Sequence, residues 1–379
     1  MEENILRKLL IALQKNEGSD LHLKSGAIPR IRIHGKMKAI KTDVIEKSYM
    51  ENLLSSILLE EKEKEFYKNK FIDFTYDLDE KSRFRVNFFH QINGLSAVFR
   101  IIPIEIPTIE ELNLPGIIRD FTHIHRGLIL VTGVTGSGKS TTLAALLNEI
   151  NMRDEKHIIT IEDPVEFVHK DKKSLINQIE IGENSNSFGA SLKSALREDP
   201  DIILVGEMRD LETIETAVHA ANTGHLVFST LHTLDAKETI DRIIGMFPTN
   251  EQNRIRTSLA SVLEGIISQR LVETKGGGRS AAIEILKKTA RIEELIKNGQ
   301  DAEIPDAIFE GKEIYGSQTF DQAIIDLYDA KRITEDVALK NATNPADMKL
   351  RLEGIGAGAS KSKKRKSDDS FFDLKNPVC

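Results

Sequence analysis

The chain has 379 residues, of which 40% are hydrophobic and 29% charged, and its formal net charge is −7. This length exceeds one average domain, and the acidic balance argues against a general nucleic-acid-binding protein, so no nucleic acid is expected as a partner. The only cysteine is Cys379, which fits a reducing cytoplasm, and no apolar run approaches the roughly 20 residues that span a bilayer, so membrane contact is expected only through partners.

Residues 1–100 predict a small α+β domain with an antiparallel sheet. Apolar residues from Ile5 to Leu13 recur at helical spacing, and Gly18 is predicted to end that helix as its C′ residue. A heavily charged stretch over residues 60–70 predicts a solvated helix. Alternation of apolar and polar residues predicts strands at 20–23, 29–34, 71–76, 82–88 and 95–102.

Three prolines between residues 103 and 115 predict a linker over residues 101–118. Beyond it, strands alternate with helices, which predicts an α/β fold with a largely parallel sheet over residues 119–290. The predicted strands are 127–132, 157–161, 201–205, 225–230 and 281–286, and the predicted helices are 141–151, 188–198, 211–222 and 249–270. Residues 291–353 have mostly helical spacing, with breaks near Pro305, Gly311, Gly316 and Pro345. Glycines followed by a basic run give residues 354–379 the composition of a disordered tail.

Residues 133–140 spell G-V-T-G-S-G-K-S, the G-x-x-x-x-G-K-[ST] pattern of a phosphate-binding loop. A short apolar strand precedes the loop and a helical stretch follows it, as the motif requires. Lys139 is expected to neutralise the outer phosphates of ATP, and Ser140 to hold Mg²⁺. The alternative is a glycine-rich turn that matches by chance. The predicted nucleotide-binding residues of this stretch are Gly133, Thr135, Gly136, Ser137, Gly138, Lys139, Ser140 and Thr141.

Residues at the carboxyl ends of parallel strands are candidates for chemistry, because ligands bind beyond that edge of such a sheet. Glu207 follows four apolar residues and is predicted to position the attacking water. Glu162 and Asp163 follow another strand and are predicted to assist the metal, with Asp163 holding Mg²⁺ directly or through water. His232 is predicted to contact the γ-phosphate, whereas His225 is expected to brace the opposite edge. Alternatively, the acids are helix caps, turn residues or surface ion pairs, and His225 is structural.

Arg83 and Arg85 are two residues apart in a predicted strand and therefore share a face, and Arg100 ends a later strand. A face with several guanidinium groups suits a phosphate, so all three are predicted to contact the nucleotide. The alternative is a solvated strand face with ion pairs.

Four stretches together carry a family resemblance: the phosphate loop, T-I-E-D-P-V-E at 160–166, R-E-D-P-D-I-I-L-V-G-E-M-R-D at 197–210, and T-G-H-L-V-F-S-T-L-H-T at 223–233. They resemble the Walker A, Asp, Walker B and His boxes of secretion-superfamily ATPases, and in particular the type IV pilus retraction ATPases of the PilT and PilU types. The resemblance implies a PAS-like domain at the N-terminus, followed by a RecA-like P-loop ATPase domain. It also implies that Glu207 is the catalytic base and that arginines of the N-terminal domain reach the nucleotide.

The same resemblance implies a homohexameric motor in the cytoplasm, at the inner face of the inner membrane. Such a motor couples ATP hydrolysis to pilin disassembly, and hence to pilus retraction and twitching motility, through an inner-membrane platform protein. One stretch departs from the PilT type, since R-I-E-E-L-I-K-N at 291–298 replaces A-I-R-N-L-I-R-E and thereby reverses local charge at Glu293 and Glu294. The alternative is therefore a PilU-like accessory nucleotide-binding ring that assists a paralogous pilus ATPase. A third interpretation is a P-loop small-molecule kinase.

Overall fold

The computed structural model describes residues 2–33, 35–79, 82–102 and 105–353. Two β-sheets organise these residues, and each sheet packs against its own helices around hydrophobic cores. The tail predicted over residues 354–379 lies outside the described residues. Within the described ranges, every helix is too short or too polar to cross a bilayer.

The first sheet has six strands in the order β3-β2-β1-β6-β5-β4, and all neighbouring pairs are antiparallel. Leu21, Val86 and Phe99 lie on one buried face of this sheet, in a core that includes apolar residues of the first two helices. The predicted antiparallel sheet is thus confirmed. Its elements are α1 (Glu2–Lys15), β1 (Asp20–Lys24), β2 (Arg30–Ile33), β3 (Lys36–Ala39), α2 (Lys47–Ile57), α3 (Glu60–Asn69), β4 (Phe71–Asp79), β5 (Ser82–Gln91) and β6 (Gly94–Ile102).

The end of helix α1 differs from the prediction. The helix ends at Lys15, and Glu17 is the residue in the left-handed conformation, with a φ of 51°. Gly18 follows it and donates its backbone N–H to the carbonyl oxygen of Leu13 at 3.0 Å. The prediction that Gly18 is the C′ residue is therefore wrong, because Glu17 takes that position and Gly18 is C″. Glycine suits the site for another reason, since a Cβ there would lie 2.5 Å from Cδ1 of Leu13.

The second sheet has seven strands in the order β13-β12-β7-β11-β10-β8-β9. All neighbouring pairs are parallel except β12–β13, so the predicted α/β fold is confirmed. Strand β7 is buried on both faces, with Leu128 and Leu130 in one core and Ile129 and Val131 in the other. Its elements are a 3-10 helix (Gly116–His123), β7 (Gly127–Thr132), α4 (Lys139–Arg153), β8 (His157–Glu162), β9 (Leu175–Glu180), α5 (Phe188–Ala195), β10 (Ile202–Val205), α6 (Leu211–Asn222), β11 (Leu226–Leu231), α7 (Ala236–Gly245), α8 (Gln252–Val262), β12 (Leu263–Glu273) and β13 (Arg279–Lys287).

The helix predicted over residues 249–270 is wrong in its second half. Helix α8 ends at Val262, and strand β12 begins at the next residue. Most of β12 is buried on both faces between β7 and β13, so its sequence lacks the alternation that marks a half-buried strand. Gly265 allows the chain to pass close to Phe121, because a Cβ there would lie 2.1 Å from Cε1 of that ring. The sequence pattern also misses β3, α2, β9 and α7.

The chain after β13 is helical, as predicted, and α12 packs against β13. Helix boundaries fall at each predicted break: Pro305 lies in the first turn of α10, Gly311 separates α10 from α11, Gly316 ends α11 with a φ of 76°, and Pro345 begins α14. The elements are α9 (Ala290–Asn298), a 3-10 helix (Asp301–Glu303), α10 (Ile304–Glu310), α11 (Lys312–Tyr315), α12 (Phe320–Asp329), α13 (Glu335–Asn341) and α14 (Pro345–Leu352).

Candidate active site

The phosphate loop joins the end of β7 to the start of α4, at the carboxyl edge of the parallel sheet. Gly133, Gly136 and Gly138 have φ values of 142°, 77° and 94°, which side chains rarely tolerate. A Cβ on Gly133 would also lie 2.5 Å from the carbonyl oxygen of Gln269 in β12. Glycine is therefore required by conformation at all three positions and by packing at the first. The loop leads into the N-terminus of α4, where backbone N–H groups favour an anion.

Lys139 is buried beneath the loop and bonded to it. Its Nζ donates to the carbonyl oxygen of Gly133 at 2.8 Å and to that of Val134 at 3.2 Å. Burial lowers the pKa of Lys139, while the charges of Glu207 and Glu166 oppose that shift. The ammonium group is thus held at the centre of the loop, where it can exchange carbonyl oxygens for phosphate oxygens.

Glu207 and His232 meet in front of the phosphate loop. Glu207 follows β10, and its Oε2 lies 2.8 Å from Nη2 of Arg209 and 3.3 Å from Nε2 of His232. Burial raises the pKa of Glu207, but the hydrogen bonds and charges of Arg209 and His232 outweigh burial, so the pKa is lowered. Nδ1 of His232 lies 3.5 Å from Oγ1 of Thr135 in the loop. A chain of polar contacts therefore links the loop to an ionised carboxylate.

Glu162 ends β8 and is the most strongly perturbed carboxyl group at this edge. Its Oε1 accepts hydrogen bonds from Oγ1 of Thr160 at 2.8 Å and from Nε2 of Gln178 at 3.3 Å. Burial raises the pKa of Glu162 to about 7, although these hydrogen bonds lower it. Asp163, the next residue, is exposed.

A cavity of about 530 Å³ joins these groups. It brings together most of the predicted site residues, and it adds Arg209, Leu271 and Arg279, which were not predicted. Its lining includes Arg85, Thr135, Gly136, Gly138, Lys139, Ser140, Thr141, Glu162, Asp163, Glu207 and His232. The oxygens of Ser140, Glu162 and Asp163 suit Mg²⁺, which is usually bound by few protein ligands together with phosphates and waters. Among the described residues, no group of three or more His, Cys, Asp or Glu side chains forms a complete metal cage.

Only one of the three predicted arginines lines this cavity. Arg85 lines it. Arg83 donates from Nη2 to Oγ1 of Thr75 at 3.1 Å, and Arg100 donates from Nε to Oδ1 of Asp20 at 2.7 Å. The structure therefore places Arg85 beside the phosphate loop, and nucleotide contacts by all three arginines stay predictions.

Charged residues of the N-terminal region and of the second half of the chain meet beside the cavity. Lys62 of α3 forms an ion pair with Glu183, which follows β9. Burial raises the pKa of Glu180, while the Val165 backbone N–H and the charges of Arg83 and Lys62 lower it. A second cavity of about 250 Å³ lies between the sheets here and shares Arg85, Asp163 and Pro164 with the first. The site is therefore built from two sheets that are distant in sequence.

Three further residues bear on the predictions. Nδ1 of His225 lies 3.0 Å from the carbonyl oxygen of Ala220, at the opposite end of β11 from His232, as expected for a residue that braces that edge. Arg209 lies only two residues after Glu207, so its sequence position could have marked it. Arg279 reaches the cavity by the antiparallel pairing of β13 with β12, and no local motif marks it.

Known proteins resemble the chain over most of its length. The family described as type II/IV secretion system protein matches residues 1–310. The type IV pilus retraction ATPase PilT of Pseudomonas aeruginosa is 45% identical over 340 residues, which cover 90% of this chain and 98% of that protein. The type IV pilus ATPase PilU of the same organism is 37% identical over 348 residues, which cover 91% of each chain. The crystal structure of the pilus retraction motor PilT with bound ADP superposes with a TM-score of 0.85 at 42% identity, covering 90% of this chain and 98% of that one.

Proposed function

This chain belongs to the type II/IV secretion system protein family, and on that premise we propose that it is an ATP-hydrolysing motor that powers retraction of type IV pili. Its substrates are ATP and water, and its products are ADP and phosphate. The observation that carries the proposal is the contact of the Glu207 carboxylate with His232, which in turn contacts Thr135 of the phosphate loop. A carboxylate placed there can orient a water molecule for attack on the terminal phosphate.

Several groups of the cavity have a role in that reaction. The loop N–H groups and Lys139 bind the phosphates, and Ser140 would hold Mg²⁺, assisted by Glu162 and Asp163. Mg²⁺ would neutralise charge on the phosphate oxygens. Glu207 holds the water and accepts its proton, because its lowered pKa keeps it ionised at neutral pH.

Movement between the two sheets would convert hydrolysis into work. Arg85 comes from the first sheet and the phosphate loop from the second, so nucleotide in the cavity contacts both. ATP then favours a closed arrangement, and loss of the terminal phosphate releases it. The proposed working form is a homohexamer in the cytoplasm, at the inner face of the inner membrane, whose partner is an inner-membrane pilus platform protein.

Steady-state Mg²⁺-ATP hydrolysis by the full chain and by Glu207→Gln tests this proposal. Loss of one positioned catalytic group typically lowers kcat by about 10²-fold or more, and that loss is expected here. Glu335→Gln is the matched control, because Glu335 is exposed on α13, away from the cavity, and the same change is expected to leave kcat unaltered. ATP binding by Glu207→Gln is expected to persist, since the phosphate loop is intact.

A series of protein concentrations with the mass measured at each point tests the assembly. Specific activity that rises as hexamers form would support a site shared between subunits. Equal rates for the full chain and Glu207→Gln would remove Glu207 from the mechanism and overturn the proposal as stated.

A second candidate function is a PilU-like accessory ring that assists a paralogous pilus ATPase. The observation that favours it is the charge of α9, where Glu293 and Glu294 replace the Arg and Asn of the PilT-type stretch. Oε1 of Glu293 accepts a hydrogen bond from Nζ of Lys297 at 2.7 Å, so this helix satisfies part of the reversed charge internally. Tight ATP binding with negligible turnover would favour this accessory function over the motor.

A further inference from the structure

Glu284 is a buried carboxyl group in the middle of β13, and it joins the first turns of two helices. Its side chain is only 8% exposed. Oε1 accepts a 2.9 Å hydrogen bond from the backbone N–H of Ala236, the first residue of α7. Helix α12, which begins at Phe320, packs against β13, and the backbone N–H of Phe320 lowers the pKa of Glu284. Helix N-termini present unpaired N–H groups and partial positive charge, so a carboxylate suits both.

Helix α7 carries the segment that brings His232 into the active site. His232 comes four residues before Ala236, and hydrogen bonds tie the intervening residues to the first turn of α7. Oγ1 of Thr233 lies 2.6 Å from Oγ1 of Thr239, and Oδ1 of Asp235 accepts from the backbone N–H of Glu238 at 2.8 Å. A shift of the first turn of α7 would therefore move His232 relative to Glu207 and the phosphate loop.

Helix α12 belongs to the C-terminal helical region, and an arginine fixes its start to the sheet. The guanidinium carbon of Arg270 lies 3.8 Å above the ring of Phe320. Arg270 precedes Leu271, which lines the active-site cavity, and the charge of Arg270 also acts on Glu284. The other charged group that acts on Glu284 is Asp235 of the α7 cap. Glu284 thus lies where the sheet, the His232 segment and the C-terminal helices meet.

We propose that Glu284 is a positioning residue for ATP hydrolysis, which holds α7 against β13 and α12 and so fixes His232 at the terminal phosphate. This inference rests on the proposed function. The inference also predicts that the C-terminal helices influence the active site, because β13, which carries the anchor of α7, packs against α12 as well.

The direct test is a double-mutant cycle between Glu284 and His232, with kcat expressed per nucleotide-binding site. Glu284→Gln keeps the size of the side chain but replaces one oxygen with an N–H donor. It is expected to lower kcat about tenfold while the KM for ATP changes less than twofold. In a His232→Ala background, the same change is expected to have no further effect, because both residues act through one contact. Independent losses that multiply would assign Glu284 a merely structural role and overturn the proposal.

A second variant leaves Glu284 intact and removes its donor. Ala236→Pro deletes the N–H at the first position of α7, where the backbone of proline is well tolerated, and Asp235 before it has an extended backbone with ψ of 176°. Because Ala236 is fully buried, urea unfolding of this variant checks that the larger ring has not disrupted the fold. The same selective loss of kcat is expected. Ser280→Ala, at a buried position of the same strand, is the control and is expected to leave kcat unchanged.

The results separate this inference from the proposed function. Loss of activity in Glu207→Gln with full kcat per site in both Glu284→Gln and Ala236→Pro would overturn the positioning role alone. Full activity in Glu207→Gln would overturn the proposed function itself.

Discussion

Replacement of Glu284 by Gln is expected to make the stability of the protein less sensitive to pH. Burial raises the pKa of Glu284 from an ordinary value of 4.5 to about 7, while the Ala236 N–H lowers it, Asp235 raises it, and Arg270 and the Phe320 N–H lower it. The folded chain therefore keeps a proton that the unfolded chain loses between these pH values. The stability that this group contributes is complete below pH 4.5 and is lost as the pH rises through about 7.

The size of the effect follows from the pKa difference. At about 1.36 kcal/mol per pH unit, an ionised carboxylate at this site lowers the free energy of unfolding by about 3 kcal/mol relative to the protonated form. Glutamine has no such titration. The Glu284→Gln variant is thus expected to match the full chain in stability near pH 4 and to exceed it by about 3 kcal/mol near pH 8.5.

Urea unfolding of both proteins at the two pH values measures this difference. Glu264→Gln is the control, because Glu264 lies at the partly exposed start of β12 and forms an ion pair with Lys288. Equal pH dependence in the full chain and Glu284→Gln would refute the buried, uncharged state assigned to Glu284 below pH 7. A variant that is more stable yet turns over more slowly would also show that its loss of activity does not arise from unfolding.

Three other substitutions test the phosphate loop, the first sheet and the strand that packs beside the loop. Lys139→Ala is expected to weaken ATP binding by about 10- to 100-fold, since charge-assisted hydrogen bonds are worth about 1.5–3 kcal/mol. Titration with a fluorescent ATP analogue measures the affinity, and an unchanged affinity would contradict this expectation. Arg85→Ala is expected to lower kcat/KM more than Arg100→Ala, because Arg85 lines the cavity and its ion pair with Asp73 is long, at 3.9 Å, whereas Arg100 holds Asp20 at 2.7 Å. Steady-state kinetics decide the order. Gly265→Ala is expected to lower the free energy of unfolding by about 1–3 kcal/mol, because the added Cβ would lie 2.1 Å from the Phe121 ring. An unchanged midpoint of urea unfolding would argue against that clash.

The sequence predicts those parts of the fold and of the site whose geometry is determined within a single segment. The phosphate loop follows a buried strand and precedes a helix, and its glycines adopt the left-handed conformations that the motif requires. Glu207 and His232 were predicted from their positions after apolar runs, since strand ends in a parallel sheet share one edge.

Features that depend on contacts between distant segments could not be predicted in the same way. Strand β12 is buried on both faces, so its apolar run resembles a helix as much as a strand. Because β12 was not predicted, the positions of Arg279 and Glu284 on the neighbouring strand β13 could not be predicted relative to the active site. The ion pair of Lys62 with Glu183 joins residues that are 121 positions apart, and only the packing of the two sheets brings them together.

The hydrogen bonds of Lys139 with its own loop bear on the state that the motor must pass through between turnovers. Lys139 donates to the carbonyl oxygens of Gly133 and Val134. When the nucleotide leaves, the ammonium group can bond to these oxygens. The empty site therefore does not contain a buried cation without hydrogen-bond partners. Binding correspondingly exchanges existing contacts for new ones, which moderates affinity. The empty loop is therefore a stable intermediate of the cycle, and a motor passes through it in every turnover.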